Sequence, residues 1–304
     1  MKASSSISPR LWLARAILGL VPNKYVDVDK LKALMAGRKP PKDADPPGWF
    51  SSCCHVRRWT AGGHAVITVT PRSGPVDWNL MYLHGGGYIF PLMRPHWTII
   101  RALIEATGAA VTVPLYPLAP EHDHRPAWAM IDAVYEELLH ASAGKPLALA
   151  GDSAGANFAL SLAIRRRSAG ASLPDRLILF SPWLDLTLSD PATRQVEPRD
   201  GILAVDGAIQ CGRWWVAEKD PLLPEFSPLH ADLAGLPAMA VFQGTHDIFV
   251  VDARSFAARA TAHGADLQYF EYEGGFHVFM GARSTRESRD VYRRVAEFLA
   301  ARTV

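Results

Sequence analysis

A serine between two glycines, where a predicted strand turns into a predicted helix, constrains the fold of this chain more than any other feature. The segment Gly151-Asp-Ser-Ala-Gly155 follows the apolar run 146–150 and precedes a helical pattern over 156–167. A strand that turns so sharply into a helix leaves no room for side chains beside the serine, which explains the flanking glycines. The pattern predicts that Ser153 lies on a strained turn, with its hydroxyl raised above the backbone as a nucleophile.

Three consecutive glycines end another predicted strand, upstream of this serine. The strand 79–83 leads directly into His84-Gly-Gly-Gly87. Glycines let backbone N–H groups approach a substrate closely, and acyl transfer needs such donors around the developing oxyanion. We expect the N–H groups of Gly85 and Gly86, together with that of Ala154, to form this oxyanion hole. A phosphate-binding loop is disfavoured, because the glycine patterns of nucleotide-binding loops are missing from the sequence.

A serine nucleophile needs a base that takes its proton and an acid that orients the base. His277 lies in a loop just after a predicted strand, where a base could reach across the edge of the sheet. Asp247 directly follows a predicted core strand, whereas Asp252 is expected to open the next helix. The chain order serine, acid, histidine also fits this architecture. The sequence therefore predicts Ser153, Asp247 and His277 as the catalytic residues, with Asp252 as the alternative acid.

Composition and charge argue against several kinds of partner and cofactor. The 304 residues include 32 Lys and Arg against 30 Asp and Glu, and no basic stripe suggests nucleic-acid binding. The three cysteines, Cys53, Cys54 and Cys211, do not make a disulfide framework, which favours a cytoplasmic location. His122-Asp-His124 has no third ligand at a fitting spacing, so we expect no metal. The chemistry of an activated serine needs no cofactor.

The apolar segment 11–21 is expected to cover the site rather than to cross a membrane. It is too short to span a bilayer, Arg15 interrupts it, and no cleavage site of a signal peptide follows it. Its spacing predicts an amphipathic helix that forms part of a lid. The residues on the predicted apolar face are Leu13, Ile17, Leu20 and Val21. Residues 1–48, which end in a proline-rich linker, are therefore interpreted as an N-terminal cap segment.

The remaining residues, 49–304, predict a single α/β domain. Early hairpin strands followed by repeated β-α-β units indicate a mostly parallel sheet with helices on both faces. An insertion at about 184–228 breaks this rhythm and contains one helical piece with Trp214-Trp215, which we expect to pack over Ser153. The segment Ser284-Thr-Arg-Glu287 is typical of a capping box that opens the last helix.

Taken together, the motifs resemble the bacterial hormone-sensitive-lipase-like esterases of the α/β-hydrolase fold. The resemblance extends from about Tyr82 to about Phe279, and its segments occur in the order of that family. They are His84-Gly-Gly-Gly87, Tyr116-Pro-Leu-Ala-Pro-Glu-His122, Gly151-Asp-Ser-Ala-Gly155, Ser181-Pro-Trp-Leu-Asp185, Ser227-Pro-Leu229, Gly244-Thr-His-Asp247 and Phe276-His277. Two positions depart from the family pattern. Ala156 replaces the usual glycine, and the segment after Asp247 reads Ile-Phe-Val-Val-Asp rather than the commoner D-x-L-x-D.

The resemblance implies a fold, a set of site residues and an activity. It implies an α/β-hydrolase fold with a helical cap made from the N-terminal segment and the insertion at about 184–228. The implied residues are the triad Ser153, Asp247 and His277, the oxyanion donors Gly85, Gly86 and Ala154, and the supporting motif residues His84, Gly87 and Asp152. The implied activity is that of a serine carboxylesterase without a cofactor.

The expected reaction is hydrolysis of short- to medium-chain carboxylic esters through an acyl-enzyme. A lactone hydrolase with the same triad is the nearest alternative, since the sequence Gly-Thr-His-Asp-Ile at 244–248 is similar to members described as acetyl-ester or monoterpene-lactone hydrolases. A non-catalytic binder on the same fold is a further alternative, because folds do not fix functions. A peptidase is disfavoured. The expected partner is a small-molecule ester or lactone, and an exposed edge strand could support a homodimer.

Overall fold

One mostly parallel sheet forms the centre of the fold. The computed structural model describes residues 2–4, 6–20, 28–38, 44–142 and 144–301. The strands of these residues are β1 (Lys2–Ser4), β2 (Cys54–Ala61), β3 (His64–Pro71), β4 (Asn79–Leu83), β5 (Ala110–Pro114), β6 (Leu147–Asp152), β7 (Arg176–Phe180), β8 (Ala238–His246) and β9 (Leu267–Phe276). Their order in the sheet is β1-β9-β8-β7-β6-β4-β5-β3-β2. β3 pairs antiparallel with β2 and β5, and every other pair is parallel, which confirms the predicted sheet.

Helices cover both faces of this sheet, as the sequence predicts. The α-helices of the described residues are α1 (Pro9–Leu18), α2 (Val28–Ala36), α3 (Phe50–Cys53), α4 (Arg94–Thr107), α5 (His124–Ala141), α6 (Ala154–Ser168), α7 (Ala192–Val196), α8 (Val205–Val216), α9 (Val250–Ala262) and α10 (Arg286–Ala300). α4 and α10 bury their apolar sides in the core on one face, and α5, α6 and α9 bury theirs on the other. This is the layer arrangement of an α/β-hydrolase fold.

The central strands are apolar on both sides, because each side meets a layer of helices. In β6, Leu147 and Leu149 belong to the core shared with α5 and α6, whereas Ala148 and Ala150 belong to the core shared with α4 and α10. Burying a leucine side chain contributes roughly 1.5–3 kcal/mol. The strand that leads into Ser153 is therefore fixed from two directions.

Helix α4 was not predicted, although its sequence carries a helical signal. Trp97, Ile100, Leu103 and Ile104 recur at intervals of three and four residues, and all four are buried. The helix begins at Arg94-Pro95, and a proline at the first turn is compatible with a helix start. The apolar spacing was therefore available in the sequence as evidence for a helix between β4 and β5.

The start of α10 differs from the predicted capping box by one residue. Thr285, not Ser284, is the N-cap, and its hydroxyl accepts a hydrogen bond from the N–H of Ser288 at 3.1 Å. Glu287 does not return to the cap of its own helix. Its carboxylate accepts hydrogen bonds from the N–H and Oγ of Ser8, at 2.8 and 2.6 Å. Since Ser8 caps α1, this buried carboxylate joins the start of α1 to the start of α10.

The segments interpreted as a cap contain helices that lie outside the sheet layers. α7 and α8 lie between β7 and β8, within residues 184–228, and α2 contacts α8. The orientation of α1 differs from the predicted one, because Leu11 is fully buried while Leu13 and Leu20 are exposed. Val21 and most of the predicted proline-rich linker lie outside the described residues.

The Trp214-Trp215 helix also packs differently from the expectation. The Trp215 ring stacks on Tyr88 at a centroid distance of 4.0 Å and meets Phe158 edge-on at 5.4 Å. Trp215 is thus a core residue that anchors α8 to the sheet domain. The residues of α8 that face the cavity beside Ser153 are instead Ala208 and Cys211. In the part of the chain that the structure describes, no helix has the length and apolarity needed to cross a membrane.

Candidate active site

Ser153 lies on a strained turn between β6 and α6. Its backbone has φ 56° and ψ −122°, a conformation that non-glycine residues rarely adopt. A Cβ at Gly151 would come within 2.5 Å of the Gly155 carbonyl group, and a Cβ at Gly155 would collide with the carbonyl oxygen of Leu83. The two glycines are therefore required by the close approach of the turn to α6 and to the end of β4. Such strain costs on the order of 1–3 kcal/mol and is common at active sites.

Asp247 and His277 form a hydrogen-bonded pair at the ends of neighbouring strands. Asp247 follows β8, His277 follows β9, and Nδ1 of His277 lies 2.9 Å from Oδ2 of Asp247. The other carboxylate oxygen of Asp247 accepts the N–H of Phe249 at 3.0 Å. Val278, at φ 55°, donates its N–H to the Ser181 hydroxyl, which fixes the turn beyond the histidine. The acid and the histidine are thus held in one orientation.

Asp252 occupies a different environment from Asp247. It is buried in the first turn of α9, and its Oδ2 has no hydrogen-bond partner within the described residues. Burial, and then the negative charges of Asp185 and Asp190, raise the pKa of Asp252 to about 8. A carboxyl group with this pKa is mostly neutral at pH 7. The structure therefore places Asp247, and not Asp252, beside His277.

The pKa of His277 reflects two opposing effects. Burial is the larger single effect and disfavours the charged imidazolium. The adjacent carboxylate of Asp247, with smaller contributions from Asp200 and Asp152, outweighs burial and raises the pKa of His277 above its ordinary value. The histidine is therefore a stronger base than an exposed one. This property suits a residue that accepts a proton and then carries a positive charge.

Sequence reasoning missed a second buried carboxylate at this site, that of Asp200. Its Oδ1 accepts the N–H groups of Ile202 and Leu203 at 2.8 and 2.9 Å, and its Oδ2 accepts the N–H of Ile248 at 2.9 Å. Burial, and then the charge of Asp247, raise the pKa of Asp200 to about 6. Asp200 belongs to the inserted segment and has no motif around it. The fold, and not a local sequence pattern, places Asp200 beside the loop after β8.

The glycine-rich turn corrects one of the expected oxyanion donors. The N–H of Gly85 already donates to Oδ1 of Asp152 at 3.0 Å, and the Tyr82 hydroxyl donates to the same oxygen at 2.5 Å. The expectation that Gly85 is an oxyanion donor is therefore wrong. Gly86 and Gly87 line the cavity together with Ser153, and within the described residues their N–H groups have no backbone or side-chain acceptor.

His84, like Asp152, helps to hold the glycine-rich turn in place. Nδ1 of His84 lies 2.8 Å from the carbonyl oxygen of Gly85, and its ring stacks on Tyr116 at 4.3 Å. The Tyr116 hydroxyl donates to the carbonyl oxygen of His84 at 2.5 Å. Burial, and then the neighbouring His96, lower the pKa of His84 to about 3. This histidine is thus neutral and holds the turn in place instead of exchanging protons.

The N–H of Ala154 is also directed to the site by its position in the chain. Ala154 is the first residue of α6, and the first N–H groups of a helix have no acceptor within the helix. The same end of the helix favours negative charge through the helix dipole.

Among the described residues, no group of three or more His, Cys, Asp and Glu side chains is arranged to hold a metal ion. Nδ1 of His124, from the sequence His122-Asp-His124, lies 3.1 Å from the carbonyl oxygen of Trp215.

An apolar cavity of about 840 Å³ joins these groups. Ser153 and His277 lie at its wall, together with the two glycines of the turn. The aromatic rings of Trp183 and Phe249 form one side, and α1, the start of α4 and α8 form others. Trp183 stacks on Phe249 at 5.7 Å, and Phe249 meets the His277 ring edge-on at 5.2 Å. Ser153 and His277 therefore face a mainly apolar space rather than a polar cleft.

Comparisons with known proteins agree with this geometry. A family model described as the alpha/beta hydrolase fold matches residues 80–281. An esterase of Acinetobacter venetianus is 33% identical over 66% of this chain and 67% of its own length. An acetyl-hydrolase of Streptomyces hygroscopicus is also 33% identical, over 66% of this chain and 68% of its own. The crystal structure of an esterase from the bacterial hormone-sensitive lipase family has a TM-score of 0.79 at 25% identity, covering 97% of this chain and 98% of that one.

The family match includes the turns that carry Ser153, Asp247 and His277, as well as the glycine-rich turn after β4. The structural likeness extends further and covers nearly the whole of both chains. Fold, motif order and sequence identity thus lead to one assignment. The chain belongs to the α/β-hydrolase fold family, as a member of its bacterial hormone-sensitive-lipase-like esterases.

Proposed function

We propose that the protein is a serine carboxylesterase with Ser153, His277 and Asp247 as its catalytic triad. The observation that carries the proposal is the 2.9 Å hydrogen bond between Asp247 and His277, in the wall of the same apolar cavity as the strained Ser153. A strained serine, a histidine paired with a buried carboxylate and a cavity that both the serine and the histidine line are together what nucleophilic catalysis by a serine requires. The names of the relatives support ester hydrolysis.

The proposed reaction runs in two halves. Nε2 of His277 takes the proton of Ser153 as Oγ attacks the ester carbonyl carbon, and Asp247 stabilises the imidazolium that forms. The imidazolium then gives this proton to the leaving alcohol, and an acyl-enzyme remains on Ser153. In the second half, water gives a proton to His277 and attacks the acyl carbon. The carboxylic acid leaves when Ser153 regains the proton from His277.

The oxyanion of each tetrahedral intermediate is proposed to bind three backbone N–H groups. Those of Gly86, Gly87 and Ala154 are suited to this role, because they border the cavity or begin α6. Asp152 keeps the glycine-rich turn in shape through the N–H of Gly85. Losing one such donor typically costs about 100- to 1000-fold in kcat.

The substrate is proposed to be a carboxylic ester with a short- to medium-length acyl chain. The cavity is large enough for more than an acetyl group, and aromatic rings and the cap helices limit its extent. Residues 1–48 and 184–228 are proposed to form this cap. A lactone would use the same triad and is the second candidate, since the Gly-Thr-His-Asp-Ile segment is similar to members described as acetyl-ester or monoterpene-lactone hydrolases. A series of p-nitrophenyl esters from acetate to palmitate, with lactones in parallel, would distinguish these substrates.

The proposal is tested by replacing the nucleophile. Ser153→Ala is expected to lower kcat by several orders of magnitude and to abolish labelling by a fluorophosphonate probe, because no hydroxyl remains to attack. The matched control is Ser168→Ala, at the exposed end of the same helix, which should keep both activity and labelling. Activity that persists in a folded Ser153→Ala protein would overturn the proposal. A wild-type protein that is not labelled would favour the non-catalytic binder.

A further inference from the structure

The outward side of α1 is apolar over its whole length. Four large apolar side chains of this segment are exposed, with exposed fractions of 55% for Trp12, 53% for Leu13, 55% for Ile17 and 85% for Leu20. At about 100° per residue, Trp12, Leu13 and Ile17 lie on one side of α1, opposite the fully buried Leu11, and Leu20 lies just beyond the end of the helix. The other residues of that side are proline and alanine. Single exposed apolar residues are ordinary, but a contiguous group of this size marks an interaction surface.

This apolar face of α1, formed by Trp12, Leu13 and Ile17 on the helix and by Leu20 just beyond it, adjoins the mouth of the active-site cavity. Ile17 belongs both to the exposed face and to the wall of the cavity. Across the opening, Met93 at the start of α4 is also exposed and also lines the cavity. Residues that are both exposed and cavity-lining define where the cavity meets solvent. A ligand that covers the apolar face of α1 would therefore lie at the entrance to Ser153.

The charged residues of the segment that carries this face are all basic. Residues 2–20 include Lys2, Arg10 and Arg15 and no acidic residue. On the helix, Arg10 and Arg15 fall on the two flanks of the apolar face, and Arg94 is exposed at the mouth of the cavity. Glu287, the nearest acid to the start of α1, is buried and occupied by Ser8. An apolar strip with cations at its edges complements a layer of acyl chains beneath anionic headgroups.

We propose that α1 docks the protein on an anionic phospholipid surface, with the mouth of the cavity facing the acyl chains. Tryptophan is well suited to such an interface, since its ring is apolar and its N–H can remain in the headgroup layer. A second copy of this chain fits less well, because two such faces would bring the arginines of both copies together without a carboxylate in either segment. A helix of ten residues lies on such a surface and does not span it. Docking itself does not depend on the proposed function, but delivery of lipid-borne esters does.

The docking test uses the full chain and sedimentation with unilamellar vesicles. Vesicles of phosphatidylcholine with phosphatidylglycerol are expected to bind wild-type protein at least 10-fold more strongly than vesicles of phosphatidylcholine alone, and added salt should weaken the binding. Trp12→Gln combined with Leu13→Gln should reduce binding to the anionic vesicles by about 10-fold or more. Leu222→Gln combined with Leu223→Gln is the matched control, because these leucines are exposed at 45% and 38% in the cap insertion. This control should bind like the wild type.

The outcomes separate docking from catalysis. Trp12 and Leu13 do not line the cavity, so their double variant should hydrolyse a soluble short-chain ester at the wild-type rate, which also shows that it is folded. Its activity on an ester embedded in anionic vesicles should fall about as much as its binding. Ser153→Ala should still bind the vesicles; if that variant kept its esterase activity, only the proposed function would fail. Equal vesicle binding by wild type and the Trp12/Leu13 variant would overturn the docking proposal. A wild-type protein that forms a dimer and does not bind vesicles would also overturn it, if the Trp12/Leu13 variant were a monomer.

Discussion

At the scale of single residues, Asp200 connects the cavity beside Ser153 with His277. One of its oxygens accepts hydrogen bonds from the N–H groups of Ile202 and Leu203, which line the cavity. The other accepts a hydrogen bond from the N–H of Ile248, the residue after Asp247. Its negative charge also contributes to the raised pKa of His277. A change at Asp200 should therefore affect both the position of the loop after β8 and the proton affinity of His277.

Asp200→Asn is expected to shift the pH profile of kcat/KM. His277 must be neutral to act as the proposed base, and its pKa is raised, so wild-type activity should fall as the pH drops through this raised pKa. The charged groups that face His277 are Asp247, Asp200 and Asp152, and those that face Asp200 are Asp247 and His277. Removing the charge of Asp200 lowers the pKa of His277, so the acid limb should move to lower pH.

The same variant should lower the plateau of kcat/KM roughly 10-fold, because an amide cannot replace the carboxylate as acceptor of three N–H groups. Asp206→Asn, an exposed residue of the same inserted segment, is the control and should leave the profile unchanged. If Asp200→Asn reduced activity without moving the acid limb, Asp200 would support the fold only and would not influence the base.

Which site residues could be predicted from the sequence depended on whether their position along the chain determines their role. Ser153, Asp247 and His277 each follow a strand of a parallel sheet, and the ends of parallel strands meet at one edge. The donor assignment of Gly85 was wrong, because the carboxylate that takes its N–H comes from Asp152, a distant part of the chain. Asp200 reaches the site from an inserted segment, and no local pattern indicates such a contact.

At the scale of elements, the start of α1 is held by a contact with α10 that the sequence of α1 does not reveal. The buried carboxylate of Glu287, on α10, accepts both the N–H and the hydroxyl of Ser8. The capping-box pattern had suggested that Glu287 serves its own helix, and sequence patterns cannot show that a distant serine takes its place. Conversely, α4 carried a sufficient apolar spacing and could have been predicted.

Glu287→Ala is expected to lower the free energy of unfolding by about 1–3 kcal/mol, because two donors of Ser8 lose their acceptor. Urea unfolding followed by circular dichroism would measure the change. Glu297→Ala, on the same helix with a side chain that is 60% exposed, is the matched control and should change the stability by less than about 0.5 kcal/mol. Equal stabilities of the two variants would contradict a structural role of the Glu287 contact.

At the scale of the whole molecule, the N-terminal segment belongs to both cores and to the cavity wall. Leu11 is buried in the core with α4 and α10, whereas Leu31 and Met35 are buried in the core with α5 and α6. Ala14 and Leu18 face the cavity. The sequence predicts a helix that covers the site. It cannot show which side of that helix faces inward, because nearly all residues of the helix are apolar.

Deleting residues 1–40 is expected to lower kcat/KM for butyrate and hexanoate esters more than for acetate. Each methylene that loses contact with the cavity wall loses up to about 0.8 kcal/mol, or about 4-fold. Kinetics on a p-nitrophenyl ester series would measure the change. The Trp12/Leu13 double variant alters only the outer face of α1 and should keep the wild-type chain-length preference. A soluble truncated protein with that same preference would show that the segment is not part of the cap.

The parallel pairing of β1 with β9 joins two segments that are far apart along the sequence. Synthesis runs from the N-terminal side, so β1 is made well before the strand that becomes its neighbour. His277 directly follows β9, and α10, which carries the Glu287 contact to Ser8, comes later still. Ser153 and the glycine-rich turn are therefore synthesised before His277, the residue that we propose as their base. Under the proposed mechanism, a nascent chain that stops before β9 cannot hydrolyse esters, because it contains the nucleophile without the base.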